Sequence, residues 1–129
     1  MLNYEVEKKI TDNKKKASGS RTLLRLHRAL EFIAALLLKI KETDNSKKFS
    51  NEAQKAYEAT LAKHHPWLVK KGVGIAMMTL PSRSDLLKKL NLDDTPEKMG
   101  QLGELVEELN KIYGITQKLY EKDNLLDLP

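Results

Sequence analysis

Residues 18–40, SGSRTLLRLHRALEFIAALLLKI, have a helical pattern that changes character halfway along. The spacing predicts one helix with Ser20 as its N-cap. At about 100° per residue, Arg21, Arg25 and Arg28 share one stripe. Apolar residues continue this stripe and also line the opposite side; they are Phe32, Ala35 and Leu36 on the first side, and Leu23, Leu26, Leu30, Ile33 and Leu37 on the second. Because both sides are apolar beyond Arg28, the pattern predicts a central helix that is covered on both faces.

Proline residues set the bounds of the next predicted helices. A helix that starts near Ser50 should end at His65, because Pro66 disfavours α conformation in the residue before it. Pro66 can occupy the first turn of the following helix, which should stop at Pro81. Residues 2–11 have the pattern of the end of a helix.

The last third of the chain predicts one short and one long helix. The short helix follows an N-cap at Ser82 or Ser84, and the long helix has Thr95 as its N-cap and Pro96 as its first residue. Strand-like alternation is missing, although GVGIAMMTL at 72–80 could by itself form a buried strand. The sequence therefore predicts an all-α fold.

Length and composition indicate one domain. A chain of 129 residues can bury one core, and a second domain is not expected. The sequence has no cysteine, which excludes disulfides and thiolate metal sites and suits a reducing compartment. The longest apolar run, Phe32–Leu38, is far shorter than the ~20 residues that cross a bilayer. We therefore expect a single domain, residues 1–129, located in the cytosol.

The charge balance favours an anionic partner. The chain has 23 Lys and Arg against 18 Asp and Glu, a formal net charge of +5. Lysines cluster at 14–16 and at Lys70 and Lys71, where they can form a solvated face, contact an anionic membrane or neutralise nucleic-acid phosphates. Base stacking would require aromatic residues among the lysines, and only Trp67 qualifies, so nucleic acid is not the expected partner.

Two interpretations of the arginine stripe are open from the residues alone. The guanidinium groups can be solvated or paired with acids of the same helix. They can also hold the anionic head of an amphiphile whose hydrocarbon tail follows the apolar continuation of the stripe.

Histidine and glycine spacing argues against an enzyme. His64 and His65 are adjacent and project about 100° apart, so they cannot easily chelate one metal ion. The GVG at 72–74 completes neither of the common phosphate-binding patterns. No histidine and acid form a recognisable arrangement with Ser82 or Ser84. The sequence predicts no metal site, no cofactor and no catalytic residue.

Four motifs resemble one known family. They are SRTLLRLHRAL at 20–30, an Ala-Tyr pair eight residues before His-Pro-Trp, the helix break TLPSR, and LLDLP at 125–129. Together they resemble the glycolipid transfer protein family, and within it the ceramide-1-phosphate transfer branch, from about residue 17 to the end, and we expect the resemblance to include the first helix. The resemblance implies a two-layer all-α sandwich that encloses the two hydrocarbon chains of one sphingolipid and leaves its head at a surface cleft.

The resemblance also implies which residues bind the head. Glycolipid-binding members carry a sugar-stacking Trp at the position of Arg25, and an arginine there can fork two hydrogen bonds to a phosphate instead. Arg21 matches a second phosphate-binding arginine, and Arg28 would be a supporting cation. His65 matches the histidine that bonds the ceramide amide.

Membrane contact and tail contact are implied for other residues. Trp67 matches a tryptophan that docks at the membrane interface, and Lys70 and Lys71 would add positive charge there. Four side chains are expected to be core residues or to line the lipid chains; they are Phe32, Leu36, Val73 and Met77.

One part of the family pattern is missing. The family's head centre also uses a preceding helix with an Asp, an Asn four residues later and a Lys soon after. Here Asp12 and Asn13 are adjacent and lie in a predicted loop. The chain therefore resembles a domain without its first two helices, which would remove half of the lipid recognition and one wall of the apolar chamber.

The function expected from the sequence is non-enzymatic carriage of a ceramide-1-phosphate-like sphingolipid between membranes. The carrier is expected to be a cytosolic monomer that contacts anionic membrane surfaces transiently. The alternative is a helical membrane- or protein-interaction module that keeps the scaffold and transfers no lipid.

Overall fold

The computed structural model describes residues 1–12 and 18–129; Asn13 and the lysine cluster at 14–16 lie outside the described residues. Within the described ranges every regular element is helical, which confirms the predicted all-α fold. The elements are α1 (Leu2–Lys8), α2 (Gly19–Glu42), α3 (Phe49–Ala59), a 3-10 helix (Ala62–His64), α4 (Trp67–Met77), α5 (Arg83–Lys89) and α6 (Pro96–Lys122).

The start of α2 lies earlier than the sequence predicts. Its N-cap is Ser18, whose hydroxyl accepts a hydrogen bond from the Arg21 N–H at 3.1 Å, so the assignment of Ser20 was wrong. The cause is a tertiary contact, because the Glu5 carboxylate of α1 accepts from the N–H groups of Gly19 and Ser20 at 2.7 and 2.8 Å. It also accepts from the Ser20 hydroxyl. Open N–H groups of the first turn are thus satisfied from outside the helix.

α2 is the central helix and packs against α6, α3 and α1. One core cluster joins α2, α3, α5 and α6; its members are Ile40, Phe49, Ala53, Leu87 and Leu102. A second cluster joins the start of α2 to the end of the chain through Leu24, Tyr120 and Leu125. The Tyr120 hydroxyl, which is fully buried, donates to the Ser20 carbonyl at 2.6 Å. Apolar burial and this hydrogen bond together fix the position of α2 relative to α6.

The prediction that α2 is covered on both faces was wrong. Leu26 and Ile33 are 62% and 46% exposed, and no element of the described chain lies over them. Helix α6 also leaves apolar side chains exposed; these are Leu105, Ile112, Ile115 and Leu119. The helical pattern shows which sides are apolar, but it does not show what covers each side.

The segment before Pro66 is not one continuous helix. α3 ends at Ala59, the 3-10 helix follows, and His65 is extended, with φ −108° and ψ 141°. The proline effect on His65 was predicted correctly, but the helix ends earlier, where the Thr60 hydroxyl donates to the Ala56 carbonyl at 2.7 Å. Pro66 is the N-cap of α4 and not a residue of its first turn.

Local capping signals were predicted well in the last third of the chain. The Ser82 hydroxyl caps α5 and accepts from the Asp85 N–H at 3.3 Å. The Thr95 hydroxyl caps α6 and accepts from the Lys98 N–H at 3.2 Å, with Pro96 as the first helical residue. The segment that could also have formed a strand is helical through Met77, so α4 ends before Pro81.

A buried arginine ties the ends of three helices together. Arg83 of α5 is 4% exposed, and its Nε donates to the Ile40 carbonyl of α2 at 2.7 Å. Its two Nη groups hold the Asp94 carboxylate at 2.8 and 3.1 Å, and Nη1 also donates to Asn45 Oδ1 at 3.1 Å. Met99 of α6 contacts the same guanidinium through its sulfur at 3.6 Å. Planar, forked donors suit such a junction, which an ammonium group could not satisfy.

The Arg83 junction predicts a large effect on stability. Arg83→Met keeps an unbranched side chain but removes every donor, which leaves the Ile40 carbonyl without its charged partner. We expect the free energy of unfolding to fall by on the order of 3 kcal/mol, measured by urea unfolding. Asp94→Asn is the matched control and should cost much less, because the Asp94 side chain is half-exposed and water can replace its partner. An unchanged midpoint for Arg83→Met would contradict the assignment.

The Glu5 cap predicts acid sensitivity. The hydrogen bond from the Ser20 hydroxyl, helped by the backbone donors, holds the pKa of Glu5 below its usual 4.5 against the opposing effect of burial. The ionised carboxylate therefore stabilises the fold above that usual value, and the contribution is lost as the pH falls through the lower folded-state pKa. We expect Glu5→Gln to lower the unfolding free energy by about 1 kcal/mol at neutral pH. In urea titrations this difference should shrink as the pH is lowered below 4.5, and a constant difference would refute the role of the charge.

Candidate functional site

A cleft of about 380 Å³ opens between α2, the turn before α4 and the end of the chain. It is lined by Arg25, Arg28, Ala29, Leu61, His64, His65 and Pro129. Two predicted head-binding residues, Arg25 and His65, therefore share one cleft although they belong to different elements. The cleft lies on the arginine side of α2, before the stripe turns apolar.

His65 is held in place by a buried tyrosine. Its Nδ1 lies 2.7 Å from the Tyr57 hydroxyl, and Tyr57 is 1% exposed. Burial raises the pKa of Tyr57, so the phenol keeps its proton. In the tautomer in which Nδ1 accepts from the Tyr57 hydroxyl, Nε2 carries the imidazole proton and can donate to a ligand. Phe32 packs edge-on against the Tyr57 ring, with centroids 6.2 Å apart.

Arg28 is committed to backbone acceptors. Its Nη2 donates to the carbonyls of Leu126 and Leu128, both at 2.8 Å. Burial, and then the charge of Arg25, lowers the pKa of Arg28. The geometry thus shows a guanidinium that anchors the last residues of the chain, and its role as a supporting cation for the head stays a prediction.

Arg21 and Arg25 occupy different surroundings although they lie one turn apart. Arg25 is exposed and lines the cleft. The Arg21 side chain is 14% exposed, and its Nη1 lies 3.5 Å from the Asp12 carboxylate. Arg21 is not among the residues that line the cleft. The structure therefore brings Arg25 and His65 together directly and places Arg21 beside them, with a carboxylate partner that the sequence did not predict.

The electrostatic field of the cleft is positive. Arg25 and Arg28 line it directly, and Lys63 lies on the adjoining 3-10 helix, where its Nζ is 3.9 Å from Glu31. Desolvation, followed by the charges of Arg28 and Lys63, lowers the pKa of His64 below its usual value, so His64 is neutral at physiological pH. A cleft with these groups favours an anionic ligand.

Behind Arg28 and His64 lies a smaller cavity of about 170 Å³. Its wall includes His27, which is buried, stacks on Tyr113 with ring centroids 4.1 Å apart and has its Nε2 2.7 Å from Gln117 Oε1. The Tyr113 hydroxyl donates to Glu31 at 3.0 Å, and burial together with this carboxylate raises the pKa of Tyr113 to about 12. These contacts join α2 to α6.

Sequence analysis missed the residues that support the cleft. The Ala-Tyr motif contains Tyr57, and its spacing from His65 was noticed, but the hydrogen bond between them was not predicted. The Glu31–Tyr113 bond has no local signal, since it joins residues far apart in the chain. The anchoring of residues 126 and 128 by Arg28 involves backbone acceptors, which every sequence supplies equally.

The predicted membrane-contact residues lie on an exposed helix. No side chain of α4 is fully buried. Trp67 is 70% exposed, and Lys71 Nζ lies 5.3 Å from the centroid of its ring. Lys70 and Lys71 are exposed, and both line an apolar groove of about 320 Å³ together with Trp67, Ile75 and Met78. An exposed apolar helix with lysines beside a tryptophan has the composition of an interfacial helix.

The predicted tail-lining residues lie at the edge of the core. Leu36 and Met77 pack against the cluster around Ile40, and each is partly buried. Phe32 and Val73 are also partly buried. Their packing is that of core residues with one side accessible, and their contact with a lipid chain stays a prediction.

The described residues contain neither a metal-binding cluster nor a membrane-spanning helix. No group of three His, Cys, Asp or Glu side chains at 1–12 and 18–129 is placed to hold a metal ion. In the same ranges, no helix combines the length and the apolar character that a membrane span requires.

Known structures share this fold. The crystal structure of mouse ceramide-1-phosphate transfer protein in its apo form superposes with a TM-score of 0.90 and 38% identity, covering 99% of this chain and 63% of the mouse chain. The human ceramide-1-phosphate transfer protein in complex with 12:0 ceramide-1-phosphate has a TM-score of 0.84 and 34% identity, over 99% of this chain and 64% of the human chain. These likenesses confirm the predicted sandwich type of fold.

Sequence comparisons agree with the structures. The ceramide-1-phosphate transfer protein of Danio rerio is 40% identical over 133 residues, which cover all of this chain. The chain spans 63% of the length of that relative. The family model described as glycolipid transfer protein matches residues 1–92. The predicted resemblance is thereby confirmed, and the chain belongs to the glycolipid transfer protein family.

Proposed function

We propose that this chain binds a sphingolipid with a phosphomonoester head, of the ceramide-1-phosphate type, and carries it between membranes. The observation that carries the proposal is the pairing of Arg25 with His65 in one positive cleft. Relatives named as ceramide-1-phosphate transfer proteins, one of them solved with that lipid, support the choice of ligand.

The head would be held mainly by Arg25. A guanidinium presents two parallel N–H groups that match two phosphate oxygens, and such charge-assisted bonds are about twice as strong as neutral ones. Arg21, one turn earlier, would add a second cation once its Asp12 partner is displaced, at a cost that is small because Asp12 is half-exposed.

His65 would hold the junction between head and tails. With Nδ1 accepting from the Tyr57 hydroxyl, Nε2–H would donate to a carbonyl oxygen such as that of the ceramide amide. The apolar continuation of the α2 stripe, with Phe32 and Leu36, leads away from this point. Each methylene of a tail that is kept from water there gains about 0.8 kcal/mol, and no bond is made or broken.

Helix α4 would hold the carrier against the bilayer. Trp67 is an amphipathic side chain suited to the interface, and Lys70 and Lys71 would meet anionic headgroups. We therefore propose a carrier that acts as a monomer from the cytosol, with transient contact to anionic membranes and without metal, cofactor or catalysis.

A second function is favoured by one observation. Leu26 and Ile33 of α2 are exposed, as is the apolar stripe on α6, and the chain spans 63% of the relative it matches. An apolar face of this kind suits a helical interaction module that keeps the scaffold and transfers no lipid. Transfer between vesicles of ceramide-1-phosphate by the well-folded chain would reject this alternative.

The head assignment predicts the effect of Arg25→Leu. Removing the Arg25 guanidinium should reduce transfer of ceramide-1-phosphate between vesicles at least about tenfold, because its charge-assisted hydrogen bonds to the phosphate are lost. Circular dichroism should show unchanged helicity, since Arg25 is exposed. Lys118→Leu removes an exposed cation from α6 and is the matched control, with full transfer expected. A folded Arg25→Leu variant with undiminished transfer would refute the role of Arg25.

The membrane assignment predicts a charge-specific effect. Changing both Lys70 and Lys71 to Gln should weaken binding to anionic vesicles roughly tenfold or more, at about 1 kcal/mol for each cation, with a smaller effect at high salt. The matched control changes Lys88 and Lys89, an exposed pair on α5, and should bind normally. Vesicle flotation measures both variants. Equal losses in the two would show that net charge, and not α4, determines binding.

A further inference from the structure

The last residues of the chain fold back over α2. Asn124, in the left-handed conformation with φ 54°, follows α6 and reverses the chain direction. The Leu125 N–H then donates to the Tyr120 carbonyl at 3.0 Å, and Leu125 is buried beside Leu24. Residues 125–129, here called the strap, therefore leave α6 in a defined direction.

Arg28 anchors the strap from the opposite side. Its Nη2 donates to the carbonyls of Leu126 and Leu128 at 2.8 Å each. The side chains of these two leucines pack against the cluster of Leu24 and Tyr120. Both bonds use Nη2, so Arg28, unlike Arg25, ties α2 to another part of the chain through its guanidinium.

The strap is a shared wall of two cavities. Pro129 lines the head cleft of about 380 Å³, and Leu126 and Asp127 line the cavity of about 170 Å³ behind it. Arg28 and His64 line both cavities. The strap and its anchor thus stand between the cleft and the additional space behind it.

We infer that Arg28 is a positioning residue that holds the strap as a wall of the cleft, and that this wall limits the head to the size of a phosphomonoester. The inference rests on the proposed function. A phosphodiester head, such as phosphocholine, needs room beyond the phosphate, and the cavity of about 170 Å³ that shares Arg28 and His64 with the cleft offers such room. Displacing the strap would therefore admit the larger head, while Arg25 would still hold its phosphate.

The test measures head selectivity in Arg28→Met. Donor vesicles contain ceramide-1-phosphate, sphingomyelin or glucosylceramide. We expect transfer of sphingomyelin to rise at least about tenfold over the wild type, because a steric limit is removed. Transfer of ceramide-1-phosphate should fall by only a few fold, because Arg28 adds positive charge to the cleft while Arg25 still holds the phosphate. Glucosylceramide should stay untransferred, since it has no phosphate for Arg25.

Two further variants separate the steric effect of the strap from the effect of removing a positive charge. Changing Leu126 and Leu128 together to Ser keeps Arg28 but weakens the packing of the strap, and should give the same gain for sphingomyelin. Lys63→Met removes a cation that lies in the wall of the smaller cavity and does not bond the strap, so its selectivity should be that of the wild type. Combining Arg28→Met with the two leucine changes should raise sphingomyelin transfer little further, because both changes displace the same wall.

Hydrogen exchange of the strap supplies a readout without lipid. Faster amide exchange of residues 125–128 is expected in Arg28→Met and in the double serine variant, but not in Lys63→Met. Loss of ceramide-1-phosphate transfer in Arg28→Met without a gain for sphingomyelin would overturn the inference and make Arg28 a head ligand. Wild-type selectivity together with faster exchange would show that the strap does not limit the head. A wild-type chain that transfers no sphingolipid would refute the proposed function, whereas the exchange data alone would still decide whether Arg28 anchors the strap.

Discussion

The contact between α2 and α6 determines which way the arginines of α2 point. Three polar pairs join the helices along this contact: Tyr120 to the Ser20 carbonyl, His27 to Gln117 and Tyr113 to Glu31. Apolar packing alone tolerates some rotation of a helix about its axis, whereas buried hydrogen bonds allow only one register. Helix α2 supplies Arg25 to the cleft and Arg28 to the strap, so both depend on the register between α2 and α6.

The three arginines that share one stripe of α2 lie in three different surroundings. Arg21 meets Asp12, Arg25 faces the cleft, and Arg28 binds carbonyls of the strap. Their sequence spacing is regular, yet the elements that approach α2 differ from turn to turn. Clustered charge of one sign is tolerated here because each guanidinium has its own compensation, from a carboxylate, from water or from peptide dipoles.

Local signals predicted much of the fold, and tertiary contacts account for the errors. The Thr95–Pro96 start of α6 was predicted correctly because a cap and its helix are neighbours in the chain. The N-cap of α2 was misplaced because Glu5, on another helix, satisfies the first N–H groups. For the site, helical spacing placed Arg25 and Arg28 on one side of α2. The Tyr57–His65 bond was beyond prediction, because spacing along the chain does not show which side chains meet.

Helix α4 contributes little to the core, since none of its side chains is fully buried. Substitutions on its surface therefore cost little folding free energy, and its composition is constrained mainly by what it contacts outside the protein. The arginine side of α2 has less freedom, because Arg28 and its neighbours also hold other parts of the chain in place. Under the proposed function, such a division would let the contact with a bilayer change by substitution on α4 without altering the residues that hold the ligand.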